Sequence, residues 1–160
     1  LPDVTGGFST SVTYKNWDFS AYFNDQFGGY NYFNTENALF TAGSIAGGRN
    51  VTRNVLTNGE AGNAEAAVST RFLYKSDFIR FQNATLGYNF DLKEGAAFTN
   101  LRLYVNGQNL FVITDYPGLD PEVSTSAANS GLLNGLPTAG IDYAAYPNPR
   151  TITLGLNAQF

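Results

Sequence analysis

Arg150-Thr-Ile-Thr-Leu-Gly-Leu-Asn-Ala-Gln-Phe160 is the stretch of this sequence that decides its fold class. Side chains alternate between the two faces of an extended strand, so one face of this stretch is apolar and the other is small and polar. The apolar face carries Ile152, Leu154, Leu156, Ala158 and Phe160. A strand of roughly ten residues with this alternation has the length that crosses a bilayer at the tilt of a β-barrel. We therefore predict an all-β chain that is a fragment of an antiparallel transmembrane β-barrel.

The composition also favours this fold class over an enzyme or a nucleic-acid-binding domain. Of the 160 residues, 43% are hydrophobic, 15% are aromatic and only 14% are charged, whereas soluble domains carry about 25% charged residues. The absence of cysteine and histidine removes the most common nucleophiles, acid–base groups and metal ligands. The net charge is −4 and the nine basic residues are scattered, which argues against nucleic-acid binding. We expect no enzymatic activity, no cofactor and no metal site.

The same alternation recurs along the chain and predicts five strands. They lie near residues 6–15, 17–27, 78–92, 100–113 and 150–160. Short turns at Lys15-Asn16 and Lys93 to Ala97 alternate with long loops near 28–77 and 114–149. Outer-membrane barrels have short periplasmic turns and long extracellular loops, so we expect both long loops to lie outside. Because five strands cannot close a membrane barrel, the fold requires partner strands from outside this chain.

The third and fourth strands each contain a break in the alternation. In the third strand, the apolar residues Ile79 and Phe81 fall on the face that carries polar residues further along the strand. Either a β-bulge near Gln82 shifts the register, or this part of the strand projects above the membrane. In the fourth strand, Asn109 falls on the apolar side. A soluble β-sandwich is the alternative fold, because aromatic alternating strands build sandwiches as well.

Several linked motifs carry a family resemblance. They are Ser69-Thr-Arg-Phe-Leu-Tyr-Lys-Ser-Asp-Phe-Ile-Arg-Phe-Gln-Asn-Ala-Thr-Leu-Gly-Tyr-Asn-Phe90, Arg102-Leu-Tyr-Val-Asn-Gly-Gln-Asn-Leu-Phe111, Tyr116-Pro-Gly-Leu-Asp-Pro-Glu122 and Tyr146-Pro-Asn-Pro-Arg-Thr-Ile-Thr-Leu-Gly-Leu156. In this order and at these intervals they resemble the C-terminal barrel of SusC/RagA-type TonB-dependent transporters. The similarity spans nearly the whole chain, and only Tyr30 to Val68 carries little of it. The chain is therefore expected to be a fragment of a longer protein.

The resemblance implies a 22-stranded barrel that holds a plug, of which this chain supplies the last five strands and two outer loops. It implies a bacterial outer-membrane location and import of oligosaccharides or peptides. TonB supplies the energy through a part of the protein outside this chain, and a SusD-like surface lipoprotein is the expected partner. The alternatives are a passive or adhesive outer-membrane barrel and a secreted carbohydrate-binding β-sandwich. Neighbouring coding sequence with a plug domain favours the transporter, and solubility in plain buffer favours the sandwich.

The candidate site residues fall into three groups. Polar residues of the fourth strand should face the lumen and the plug: Arg102, Tyr104, Asn106 and Gln108. Residues of the second long loop are candidates for contact with substrate or with the lipoprotein: Tyr116, Asp120, Glu122, Tyr143 and Tyr146. Asp115, Asp120 and Glu122 could also hold a calcium ion, but a solvated Asp-Pro turn explains them more simply. Phe160, a terminal aromatic residue on an amphipathic strand, resembles the signal that the barrel assembly machinery recognises.

Overall fold

The structure is a computed structural model that describes residues 2–59, 67–93, 97–126 and 137–160. The chain divides into two compact units. We call Asp3–Phe27, Phe78–Thr114 and Asn148–Phe160 the sheet unit. The described residues of Leu1–Pro2, Gly28–Asp77 and Asp115–Pro147 form the loop unit. Of the predicted connections, residues 60–66, 94–96 and 127–136 lie outside the described ranges.

The chain contains short strands as well as long ones. In chain order they are β1 (Val4–Tyr14), β2 (Trp17–Phe27), β3 (Tyr30–Phe33), β4 (Leu73–Lys75), β5 (Phe78–Asn89), β6 (Asn100–Thr114), β7 (Ser124–Ser126), β8 (Pro137–Ala139), β9 (Ile141–Asp142) and β10 (Thr151–Gln159). The helices are α1 (Asn34–Leu39), α2 (Gly43–Ala46) and two 3₁₀ helices, Arg53–Leu56 and Thr70–Phe72. None of the helices in the described ranges is long and apolar enough to span a membrane.

The sheet unit is a single five-stranded antiparallel sheet in the order β1-β2-β5-β6-β10. Its strands overlie the five predicted segments, with ends that shift by a few residues. The pairing register collects the apolar side chains on one face, which we call the apolar face. One of its rows crosses all five strands through Val12, Phe19, Leu86, Val105 and Leu154. The opposite face, which we call the polar face, carries mainly hydroxyl, amide and glycine positions.

A β-bulge explains both breaks in the alternation, and the number of extra residues in it grows from strand to strand between β2 and β6. Tyr22 and Phe23 are consecutive in β2, but their partners in β5, Asn83 and Phe81, have Gln82 between them. The corresponding residues of β6, Gln108 and Phe111, have Asn109 and Leu110 between them. One extra residue reverses the alternation in β5, whereas two extra residues restore it in β6. The bulge alternative is therefore confirmed, and Asn109 looks misplaced because it lies within the bulge.

Aromatic residues form two groups on the sheet unit. Beside the bulge, the rings of Phe8, Phe23, Phe81 and Phe111 follow one another across four strands, with successive centroids 6.5, 4.4 and 5.4 Å apart. At the end of the sheet that carries the Lys15-Asn16 turn, the ring of Trp17 lies 4.8 Å from that of Tyr88. Phenylalanine rings suit hydrocarbon throughout, whereas tryptophan and tyrosine suit an interface that offers a polar partner.

The loop unit differs from the prediction of two long loops. It contains a three-stranded sheet in the order β4-β3-β9, in which β3 and β9 are parallel, and a two-stranded sheet of β7 and β8. The buried rings of Phe40, Phe72 and Tyr116 form part of its core. The ring of Phe72 lies 5.1 Å from that of Phe40 and 6.3 Å from that of Tyr32. The two segments fold because aromatic residues far apart in sequence bury one another, and their elements are too short to show a period in sequence.

Candidate functional site

The polar face of the sheet unit contains an ion pair between β2 and β6. The Arg102 guanidinium donates from Nε to Asp18 Oδ2 at 2.9 Å, and its Nη2 contacts Asp18 Oδ1. The Asn89 side-chain amide on the intervening strand β5 also donates to Asp18 Oδ2, at 3.1 Å. A charge-assisted bidentate pair fixes the relative positions of both side chains. Asp18 was not among the sequence-predicted site residues, because its partner lies 84 positions away.

Two glycines provide the space that this arrangement needs. A Cβ atom at Gly87 would lie 2.5 Å from Asp18 Oδ2 and 2.6 Å from Arg102 Nε. A Cβ atom at Gly155 would lie 2.5 Å from Cε1 of Tyr104. The Tyr104 ring therefore packs on the backbone of Gly155, its partner residue on β10. The Arg102 guanidinium carbon lies 5.0 Å from the centre of the Tyr104 ring, within range of a cation–π contact. The polar face therefore carries a connected row from β2 to β10.

The remaining predicted lumen-facing residues lie beside this row. Asn106 donates from Nδ2 to Thr85 Oγ1 at 2.7 Å and to Asn83 Oδ1 at 3.3 Å. Gln108, next to the bulge, is exposed. Arg102, Tyr104 and Asn106 thus bond or pack within the sheet itself, and Gln108 has the most accessible side chain of the four. The structure brings these four residues onto one face, as their spacing of two predicts.

At the bulge, the side chain of Asn109 connects β6 with β5 and with the segment that precedes β10. Its backbone has a φ of 53°, in the left-handed region that asparagine tolerates better than most residues. Its Oδ1 accepts a hydrogen bond from Arg80 Nη1 on β5 at 2.6 Å. Its Nδ2 donates to the carbonyl oxygen of Asn148 at 2.7 Å, in the segment that leads into β10. The sequence signal for this role was the break in alternation, which alone did not indicate the contacts.

The predicted contact residues of the loop unit are divided between its interior and its surface. Tyr116 and Asp120 are each 5% exposed. The Tyr116 hydroxyl donates to Asp142 Oδ2 at 2.9 Å, and Asp120 Oδ1 accepts the backbone N–H of Glu122 at 3.0 Å. These two side chains stabilise the loop unit and present no surface to a ligand. Glu122, Tyr143 and Tyr146 are exposed, the last at 94%.

The Tyr116-to-Glu122 motif is held in place by two further contacts. The Asn31 side-chain amide donates to the carbonyl oxygen of the buried Pro121 at 2.6 Å. A Cβ atom at Gly118 would lie 2.7 Å from Asp142 Oδ2, so the backbone packs directly on the Tyr116–Asp142 pair. Asp120 makes the Asx turn expected of an Asp-Pro sequence. In the described part of the chain, no group of three or more acidic side chains could hold a metal ion.

Burial and carboxylate partners raise the pKa values of two tyrosines in the loop unit. Desolvation, followed by the hydrogen bond from its hydroxyl to Glu36 Oε2 at 2.7 Å, raises the pKa of Tyr74 to about 12. Burial, followed by the hydrogen bond to Asp142, raises the pKa of Tyr116 above its usual range. The rings of both tyrosines pack on Phe33, with centroids 6.3 and 5.7 Å away. Both hydroxyls therefore stay protonated in the folded unit beyond the pH at which free tyrosine ionises.

These shifts predict that the loop unit loses stability in alkaline solution. Above about pH 10 the unfolded chain releases tyrosine protons that the folded unit still holds, so its stability falls as pH rises towards the folded pKa values, by at most about 1.4 kcal/mol per pH unit for each tyrosine. Denaturant unfolding at pH 9 and 11 measures this change, with a fluorescent label on Leu56→Cys, an exposed position of this unit. The Tyr74→Phe variant should show a shallower loss. An equally steep loss in that variant would contradict the assignment of Tyr74.

Comparison with known proteins finds relatives over nearly the whole chain. It is 36% identical to the TonB-dependent receptor P3 of Formosa agariphila and 31% identical to the TonB-dependent receptor SusC of Bacteroides thetaiotaomicron, over 99% of its length in each case. It spans only 16% and 15% of the lengths of those proteins. The RagAB peptide importer in its open-open state superposes with a TM-score of 0.75 at 23% identity, over 100% of this chain and 17% of the compared one, which shows the shared fold. No protein-family model matches.

Proposed function

This chain is a portion of a SusC/RagA-type TonB-dependent receptor of the outer membrane, and on that premise we propose that it forms part of the barrel wall and part of the extracellular surface of a transporter. The transporter imports an oligosaccharide or a peptide. The matched relatives are receptors rather than enzymes, as the sequence predicts. The barrel class predicted from alternation is likewise confirmed. On this proposal, the plug and the segment that contacts TonB belong to parts of the receptor outside this chain.

The exposed apolar face is the observation that best supports this function. On β10, the apolar side chains of Ile152, Leu154 and Leu156 are 62–79% exposed. A water-soluble sandwich buries such a face against a second sheet, whereas a barrel turns it to lipid and its polar face to the lumen. The edge strands β1 and β10 leave room for further strands of the same barrel. These features support a transporter wall over the alternative of a secreted carbohydrate-binding sandwich.

The loop unit is the part of the chain that we propose contacts a SusD-like lipoprotein on the cell surface. It is a folded unit rather than a flexible loop, so little order has to be gained on binding. Among the described residues that follow Tyr116 in this unit, the large exposed hydrophobic side chains are Leu119, Tyr143 and Tyr146. Exposed tyrosines are typical of protein interfaces, and an aliphatic residue among them suits a protein surface better than a sugar ring. Contact with the solute is the second role for the same tyrosines.

We expect Tyr143→Ser combined with Tyr146→Ser to weaken binding of the lipoprotein by about tenfold or more, because tyrosine is enriched among the interface residues whose truncation costs more than about 1 kcal/mol. The measurement is the affinity of the full-length receptor for the purified SusD-like protein, together with uptake of labelled solute by cells. Leu56→Ser, which makes an equally polar change at another exposed position of the loop unit, is the matched control. Wild-type affinity in the double variant would contradict the proposed contact, and reduced uptake at unchanged affinity would favour contact with the solute.

A further inference from the structure

Tyr143, an exposed residue, lies in a turn whose two ends are fixed. Asp142, at the end of β9, is 4% exposed and accepts the Tyr116 hydrogen bond described above. Ala144, on the other side of Tyr143, has a φ of 50°. Alanine adopts this left-handed conformation at an energetic cost, which the surrounding contacts must offset. The turn is therefore kept in place by contacts and not by the preference of its own residues.

Thr35, in the first turn of α1, supplies those contacts. Its Oγ1 accepts the backbone N–H of Ala144 at 2.7 Å. The same hydroxyl lies 3.3 Å from the Asp142 carbonyl oxygen and 3.5 Å from Asp142 Oδ1, and it can donate its single hydrogen to either. One hydroxyl thus bonds to the residue before Tyr143 and to the residue after it. The two partners lie 107 and 109 positions away in the sequence.

We propose that Thr35 is a positioning residue for lipoprotein binding, which acts by holding the backbone turn that carries Tyr143. This inference rests on the function proposed for the loop unit and adds a residue that lies outside the contact itself. With the turn already ordered, binding avoids the loss of freedom that immobilising a mobile tyrosine requires. Without the Thr35 hydroxyl, Ala144 leaves its left-handed conformation more readily and the backbone on both sides of Tyr143 is less ordered.

The test compares four full-length receptors with the wild type. They are Thr35→Val, which replaces the hydroxyl with a methyl group of similar size, Thr35→Ser, which keeps the hydroxyl, Tyr143→Ala, and the Thr35→Val/Tyr143→Ala double variant. Affinity is measured for the purified SusD-like protein without its lipid, and hydrogen exchange is followed in the peptide that contains Ala144. Thr35→Ala repeats the test if valine prevents folding.

We expect Thr35→Val to weaken binding about threefold to tenfold, the range for one side chain that must be ordered on binding. Exchange at Ala144 should accelerate in this variant, and Thr35→Ser should match the wild type in both measurements. The double variant should bind no more weakly than Tyr143→Ala alone, because Thr35 acts through Tyr143.

Three outcomes overturn the inference, and they separate it from the proposed function. Additive losses in the double variant, or wild-type affinity in Thr35→Val while Tyr143→Ala binds weakly, would exclude the positioning role and leave the contact surface intact. Wild-type affinity in Tyr143→Ala would exclude both the positioning role and the Tyr143 contact.

Discussion

Replacing Asn109 with valine is expected to lower the free energy of unfolding of the receptor by about 3 kcal/mol or more. A β-branched residue is strained at a φ of 53°, by about 1–2 kcal/mol. The change also removes one hydrogen bond of the buried Arg80 guanidinium and one to the Asn148 carbonyl group. A hydrogen bond to a charged group contributes about 1.5–3 kcal/mol. Denaturant unfolding of the full-length receptor in detergent measures the sum.

Two further substitutions at this position separate the causes. Asn109→Gly keeps the left-handed backbone and loses both hydrogen bonds, so it should be about 1–2 kcal/mol more stable than Asn109→Val. Asn109→Asp keeps an acceptor for Arg80 and loses only the donor. If valine and glycine prove equally stable, the backbone conformation has no role. If all three variants match the wild type, the bulge does not depend on Asn109.

Gly87→Ala is expected to lower the free energy of unfolding by about 1–2 kcal/mol, since the added methyl group displaces the ends of the Asp18 and Arg102 side chains. The required Cβ position lies 2.5 Å from Asp18 Oδ2 and 2.6 Å from Arg102 Nε. One of the two charged side chains must shift, which weakens a partly buried hydrogen bond of the kind that contributes about 1.5–3 kcal/mol when intact. Unfolding of the full-length receptor again provides the measurement.

The control for Gly87 is the same substitution in a receptor that already carries Asp18→Ser. The shorter side chain removes the contact with Asp18, and Arg102 can then shift away from the added methyl group without losing an ion pair, so the penalty of Gly87→Ala should shrink by about half or more in this background. An equal penalty in both backgrounds would show that the glycine is required for another reason, such as the twist of β5.

The five long strands could be predicted from the sequence because alternation is a local signal. The position of each residue in β10 predicts which face of the sheet its side chain lies on, and no other strand is needed for this prediction. The bulge could not be predicted from a single strand, because it is a difference in residue number between paired strands. At this point β2 has no extra residue, β5 has Gln82, and β6 has Asn109 and Leu110. The sequence of β5 alone shows a reversal, and only the pairing shows its origin.

The strands and helices of the loop unit could not be predicted from the sequence for a different reason. Its strands have two to four residues and its helices three to six, which is less than the windows in which a period becomes visible. Pro117, Gly118 and Asp120 have the composition of a solvated loop, yet Tyr116 and Asp120 are buried. Their burial depends on Asn31 and Asp142, which approach them only in the fold.

The direct test of the central claim is which face of the sheet meets lipid. Spin labels on the full-length receptor in lipid vesicles, at Leu86 and Leu154 on the apolar face and at Thr85 and Thr153 on the polar face, report collisions with oxygen and with a water-soluble nickel chelate. Oxygen concentrates in hydrocarbon and the chelate in water. We predict that the labels at Leu86 and Leu154 collide mainly with oxygen, and that those at Thr85 and Thr153 are shielded from it. Preferential collision of the Leu86 and Leu154 labels with the nickel chelate would contradict the membrane-facing assignment of the apolar face.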